Sequence, residues 1–369
     1  MTLLRHLVVA IVAGAVIWAA SVQLNAFRDY QIAEIAVYVV AIAGLSVLIG
    51  LSGQISLGNG AFMAIGAYAA ALLMLHLNWP VWAVFPASAA ITAVAGGVVG
   101  IAAARLSGPY LAGATLLLAV ALPSLATQWP GIFGGDQGLS LTVTAPARLG
   151  ATFPTTRWQA WVCSLAALIA LVLLANLARS RVGRNWRAIR DDPVAAALTG
   201  LNVGRLRVLA FVVSATCAGL AGAMLAFTTT LVSPGSFTLS LSIALLTGAV
   251  LGGLGTLAGA IWGALVIVLV PTYVTDVATS HGLSSGVAAN IPIAAYGVVL
   301  IVVMLLFPNG IQGGVRRLAG PLLPANLTRL GSPDRHQPVS AQQDGLTSPD
   351  RPSPDRHRPV SEHQEEGTK

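Results

Sequence analysis

Long apolar runs, interrupted by short polar or glycine-rich segments, dominate the first 320 residues of this 369-residue chain. A helix needs about 20 largely apolar residues to cross a bilayer. On that measure the pattern predicts spans at 7–24, 32–50, 57–75, 81–104, 110–128, 160–178, 208–228 and 291–307. The stretch 241–270 is too long for one ordinary span, and Gly252-Gly253-Leu254-Gly255 breaks it. It predicts two helices, or a re-entrant hairpin, with the turn at the glycines. Counted as two, it gives an all-α polytopic membrane protein with about ten transmembrane or re-entrant helices.

Charge orients this set of helices. Seven arginines (Arg179, Arg181, Arg184, Arg187, Arg190, Arg205 and Arg207) fall in the loop 179–207, in a chain with only 9% charged residues. Arginine is retained on the cytoplasmic side of short loops. Alternating outward from a cytoplasmic 179–207 loop puts Arg5, Arg105, Arg316 and Arg317 inside as well, and leaves Arg28, Arg148 and Arg157 outside. Both termini then come out cytoplasmic. Arg5, the following apolar run and the small residues near position 20 also resemble a signal peptide. A retained first helix is favoured, because its removal would leave an odd number of spans.

Composition narrows the function classes. A mean hydropathy of +0.78 and 56% hydrophobic residues describe an integral membrane protein in contact with lipid. The net charge of +7 reflects arginines placed between spans, not a basic face interleaved with exposed aromatics, so no nucleic-acid partner is expected. Cys163 and Cys217 lie inside apolar spans and read as small buried hydrophobes, with no metal-ligand spacing. The single lysine is Lys369. A phosphate-cradling Walker loop needs a lysine between its glycines and the next helix, so this chain carries none. It binds no cofactor of its own on this reading.

Outside the spans, 129–156 is a turn-rich external cap or vestibule loop. Beyond Pro321 the chain turns polar and proline-rich, with a near-repeat at 332–340 and 353–361. This predicts a permease domain over 1–320 and a disordered cytoplasmic tail over 321–369. Glu34, read in the first turn of its span near Arg28 and Asp29, takes an interfacial position. His76 ends a span in the aromatic belt beside Trp79. Asp276, His281 and Ser284 share an external loop, but closeness in sequence does not make a catalytic triad.

The segment joining the second and third spans departs most from the apolar pattern. Ser52, Gln54, Ser56 and Asn59 alternate with Gly50, Gly53, Gly58 and Gly60 where a bilayer favours apolar residues. Irregular backbone at membrane depth is tolerated only where protein or water surrounds it. Two readings stand: a discontinuous helix lining a translocation path, or small residues that bring helices together with polar groups bonding between them.

Together with four other blocks, this segment resembles the branched-chain amino acid ABC transporter permeases. The others are Arg105-Leu-Ser-Gly-Pro-Tyr-Leu-Ala112 with Thr115-Leu-Leu-Leu118, Gly134-Gly135-Asp136-Gln137-Gly138-Leu139, the stretch 184–203 running into 209–224, and Gly252–Gly259 with 296–310. Asn59, where many members carry histidine, Ala197, where many carry glutamate, and Phe307, where arginine is usual, depart from the family pattern. The resemblance covers roughly 30–315.

It implies a bacterial inner-membrane permease subunit that moves branched-chain amino acids by alternating access. The implied partners are a second homologous permease, two cytoplasmic ATP-binding subunits that use ATP and magnesium, and an external solute-binding protein. Ser52, Gly53, Gln54, Ser56 and Asn59 are the expected substrate pathway. Arg187, Arg190, Asp191, Ala195, Ala196, Gly200 and Asn202 are the expected ATPase coupling region, with 194–200 as its small helix. Related members carry urea, amides or other amino acids. An ion-coupled secondary transporter is the more distant alternative, since the spans contain few acidic or histidine relays.

Overall fold

The computed structural model describes residues 25–106, 109–146, 153–280 and 310–319, with isolated positions between 12 and 21 and between 297 and 306. In chain order these form α1 (Ala26–Ser52), α2 (Asn59–Leu77), α3 (Val81–Ala103) and α4 (Pro109–Gln128). A short α5 (Pro130–Phe133), a 3-10 turn at Gly135–Gln137 and β1 (Leu139–Ser140) follow. Then come α6 (Thr155–Arg179), α7 (Arg181–Asp191), α8 (Pro193–Leu198), α9 (Val203–Thr229) and β2 (Leu231–Val232). A 3-10 turn at Pro234–Phe237 leads to α10 (Leu239–Gly252), α11 (Leu257–Ser280) and α12 (Gly310–Ala319). Among the described residues, α1, α2, α3, α4, α6, α9 and α11 are long and apolar enough to cross a membrane.

These helices coincide with the predicted spans, and the glycine turn at 252–255 divides α10 from α11 as expected. The predicted spans 7–24 and 291–307 fall almost wholly outside the described residues, as do the tail from 321, Arg148, His281 and Ser284. Two expectations are corrected. Because α1 begins at Ala26, Glu34 lies eight residues into the helix and is half-buried, not in its first turn. Asp29, in the actual first turn, pairs with Arg157 at 3.4 Å. Asp276 likewise lies on α11, which continues through Pro271 to Ser280 and is not a loop there. Pro271 removes the N–H that the Ile267 carbonyl would otherwise accept from, and the helix nonetheless continues, with Thr272 and Thr275 donating to the carbonyls of Val268 and Pro271 at 2.8 Å each.

The centre of the bundle is α9, which packs against α1, α2 and α3. Lipid tails are as apolar as leucine, so helices associate by close packing of small residues, without a hydrophobic drive. A Cβ at Gly66 would overlap the Gly219 carbonyl, and one at Gly222 would overlap the Met63 carbonyl. Backbones of α2 and α9 therefore touch directly. At the end of α9 away from the arginines, β2 pairs antiparallel with β1, joining Leu139 to Val232 and Ser140 to Leu231. The region read as a turn-rich loop thus contains a strand that local composition did not signal.

Candidate functional site

The break between α1 and α2 begins at a left-handed residue. Gly53 has φ of 72°, and its N–H bonds back to the Ile49 carbonyl at 3.1 Å. A side chain there would be strained in that conformation and would press on the Arg190 side chain, which glycine avoids. Six residues on, Asn59 starts α2.

The depth of this break follows from its partners on α9. Gln54 reaches the Arg207 carbonyl near the start of α9, whereas Asn59 faces Ser214 at 3.5 Å. At 1.5 Å per residue these positions lie about 6 and about 16 Å along a helix about 40 Å long. The stretch 53–58 therefore climbs from one end of the bundle toward its middle.

A second irregular entry meets it there. The Gly60 N–H donates to Ser242 Oγ at 3.0 Å, joining the first turns of α2 and α10. With 14 residues, α10 is about 21 Å long, short of the roughly 30 Å hydrocarbon core. The chain reaches its start through the 3-10 turn Pro234–Phe237. The two interrupted helices are thus tied N-terminus to N-terminus.

Each polar residue of the break is placed by this geometry. Ser52, Gln54, Ser56 and Asn59 are all buried. Ser52 Oγ donates to the Leu48 carbonyl at 2.7 Å. Gln54 Nε2 donates to Ser52 Oγ at 2.9 Å and to the Arg207 carbonyl at 3.1 Å. Ser56 Oγ accepts from the Gly58 N–H at 3.3 Å, and Thr115 Oγ1 of α4 accepts from the Leu57 N–H at 3.0 Å. Asn59 Nδ2 is buried without a hydrogen-bond acceptor among the described residues. Three of the four side chains are therefore occupied in holding backbone in place. Thr115 belongs to the stretch 105–118 that carries the family resemblance, but its contact with the break was not legible in sequence, and neither was that of Ser242.

The arginine-rich segment is helical where a loop was expected. Ser180 caps α7 by accepting from the N–H groups of Val182 and Gly183. Trp186 and Ile189, three residues apart, are buried on one face, while Arg181, Arg184, Arg187 and Arg190 lie on the exposed side. Trp186 Nε1 donates to the Leu206 carbonyl at 2.8 Å, which clamps α7 onto α9. Trp186 was missed in sequence; its three-residue spacing from Ile189 within a polar stretch was the available signal. Arg205 and Arg207 belong to the first turns of α9.

The small helix expected at 194–200 is α8, one residue earlier at its start and two shorter at its end. Pro193 occupies its first turn, and Asp192 Oδ1 accepts from the N–H groups of Val194 and Ala195 at 2.8 and 3.0 Å. Ala196 is buried; Val194 and Leu198 are 69% and 85% exposed, and Ala195 is exposed beside them. Such an apolar outer face suits a protein partner better than water. Gly200 has φ of 85° with open space around its Cβ position, so it serves the turn and not a contact. Asn202 caps α9 through the Arg205 N–H at 3.0 Å. Arg187 donates to the Ala178 carbonyl at 2.7 Å. Asp191 pairs with Arg190 at 3.1 Å.

Arg190 joins the two regions. Its Nη1 donates to the Gly50 carbonyl at 2.5 Å, in the last turn of α1. Carbonyls in a last turn lack intrahelical partners and carry the negative end of the helix dipole, so a guanidinium is favoured there. A separate groove of about 500 Å³ lies between α3 and α6 over α9. Its lining is almost wholly apolar, including Trp82, Phe85, Leu165 and Ile169, so it offers little to orient a polar solute.

Comparison with known proteins gives the family of the chain. The family described as "Branched-chain amino acid transport system / permease component" matches residues 27–308. The high-affinity branched-chain amino acid permease LivM of Salmonella typhimurium is 34% identical over 256 residues, which are 63% of this chain and 60% of LivM. LivH of the same organism is 32% identical over 195 residues, 53% of this chain and 56% of LivH. BraD of Pseudomonas aeruginosa is 32% identical over 146 residues, 40% of this chain and 44% of BraD. The chain thus spans about 60% or less of the length of these curated relatives.

Proposed function

This chain belongs to the branched-chain amino acid transport permease family, and from that premise we propose that it is the membrane subunit of an ABC importer for leucine, isoleucine and valine. Its energy comes from ATP hydrolysed with magnesium on two separate cytoplasmic subunits. A second, homologous permease completes the translocation unit, and an external binding protein delivers the amino acid. The bacterial inner membrane is the setting. Pairing with a sister permease is supported by the similarity to both LivM and LivH.

The observation that carries this reading is the exposed, capped helix α8, joined through α7 to the break in the bundle. Its small apolar outer face is suited to a cleft on an ATPase. ATP binding favours one conformation of the ATPase pair, and the difference in affinity between conformations drives the switch. On this reading Arg187, Arg190, Asp191, Ala195, Ala196, Gly200 and Asn202 position and present the coupling helix. The stretch from Ser52 through Gly53, Gln54 and Ser56 to Asn59 borders the substrate path.

The test is co-purification with candidate ATPases, binding protein and sister permease, followed by ATP hydrolysis with each amino acid. Stimulation by leucine, isoleucine or valine is expected. Stimulation only by urea, an amide or another amino acid would move the substrate within the family. Uptake by this polypeptide alone, driven by an ion gradient, would overturn the proposal.

A further inference from the structure

The coupling segment grips the break between α1 and α2 on both sides of Gly53. Upstream, Arg190 at the end of α7 donates to the Gly50 carbonyl. Downstream, Gln54 donates to the Arg207 carbonyl at the start of α9. The chain between Arg190 and Arg207 contains α8. The two limbs that carry α8 are therefore the two that bracket Gly53.

The far end of the break is held by different elements. Leu57 bonds to Thr115 on α4, and Gly60 bonds to Ser242 on α10. Between the anchors, Gln54, Ser56 and Gly58 are buried while Ile55 turns outward, so alternate residues of the stretch are packed against the bundle. A short stretch held by hydrogen bonds at both ends, and packed between them, passes displacement from one end to the other. Gly50 extends the same connection: it abuts the backbone of Gly255, in the turn between α10 and α11.

From this we infer that Gln54, together with Arg190, is a positioning residue that transmits movement of the coupling segment to residues 53–58, and so to α4 and α10, and does not itself contact the transported solute. The inference rests on the proposed ATPase coupling. Gln54 is 6% exposed, and its amide nitrogen already serves two protein acceptors. That leaves it poorly placed to select a substrate and well placed to sense Arg207.

The experiment uses the complete complex in lipid vesicles. Gln54→Met keeps the side-chain length and removes the donor. Hydrolysis stimulated by loaded binding protein, uptake per ATP, and KM for leucine, isoleucine and valine are measured together. The expected result is retained hydrolysis, uptake per ATP lower by about three- to tenfold, the size of one net hydrogen bond, and unchanged KM order.

A raised KM or reordered substrates at unchanged uptake per ATP would make Gln54 a substrate contact and overturn the inference. A parallel fall in hydrolysis and uptake would show a merely structural role and also overturn it. If Gln54→Met does not assemble, Arg190 decides: Arg190→Lys keeps a cation at Gly50 and should retain more uptake per ATP than Arg190→Met. Equal uptake per ATP in those two would overturn the inference. A wild-type complex lacking substrate-stimulated hydrolysis would instead bring down the proposed function itself.

Discussion

The α2–α9 contact and the coupling strap around Gly53 hold the chain in opposite ways. At Gly66–Gly219 and Gly222–Met63 the helices meet backbone to backbone, with no room for a methyl group. Around Gly53 the contacts are side chains reaching carbonyls: Arg190 to Gly50, Gln54 to Arg207 and Trp186 to Leu206. Close packing cannot slide by small amounts without overlap, since protein interiors deform in discrete steps. A hydrogen bond can be exchanged for another of nearly equal energy. The first contact is a scaffold and the second can act as a joint.

The largest expected effect comes from breaking the scaffold. Gly66→Leu forces α2 from α9 and should remove folded protein from the membrane fraction, at a cost of more than about 3 kcal/mol. Gly113→Ala on α4, where the Cβ position is open, should leave folding intact or slightly improve it. Thermal unfolding in detergent compares the two. Equal losses would erase the distinction.

Next comes Trp186→Ala. Removing this buried ring and its bond to Leu206 should cost about 3–5 kcal/mol locally. Because the effect is confined to α7, trypsin should cut faster at Arg184 and Arg187 while the bundle unfolds at nearly the same temperature. Global unfolding would show that the strap is part of the scaffold. The smallest effect is expected of Asp192→Ala, which removes the α8 cap for about 1 kcal/mol. Amide exchange at Val194 and Ala195 should quicken about fivefold, and Asp192→Asn should restore it. Unchanged exchange in the alanine variant would mean that packing, not the cap, holds α8.

The two regions were unequally legible. The apolar runs marked the scaffold helices because the bilayer demands a fixed length of apolar chain, whatever its neighbours. Helix ends were less visible: α1, α6 and α9 start five or six residues early because polar first turns are helical too. The start of α8 is marked by Asp192, which caps it, and by Pro193 in its first turn. The strap was obscured because arginine content masked the Trp186–Ile189 stripe of α7. The pairing of β1 with β2 joins residues about ninety positions apart, and nothing local signals it.

Sequence alone determined that this chain is a helical membrane protein and where most of its spans lie, because both follow from local composition, which the membrane and the backbone read a few turns at a time. Its resemblance to a permease family, carried by several blocks together, added the function and the small helix among the arginines. Only the tertiary structure decided which atoms the polar residues of the break bond. Gln54 could line a path or grip a neighbour equally well on spacing alone. Its acceptor, the Arg207 carbonyl, lies 153 residues away and is a backbone atom every residue possesses, so no side-chain pattern could name it.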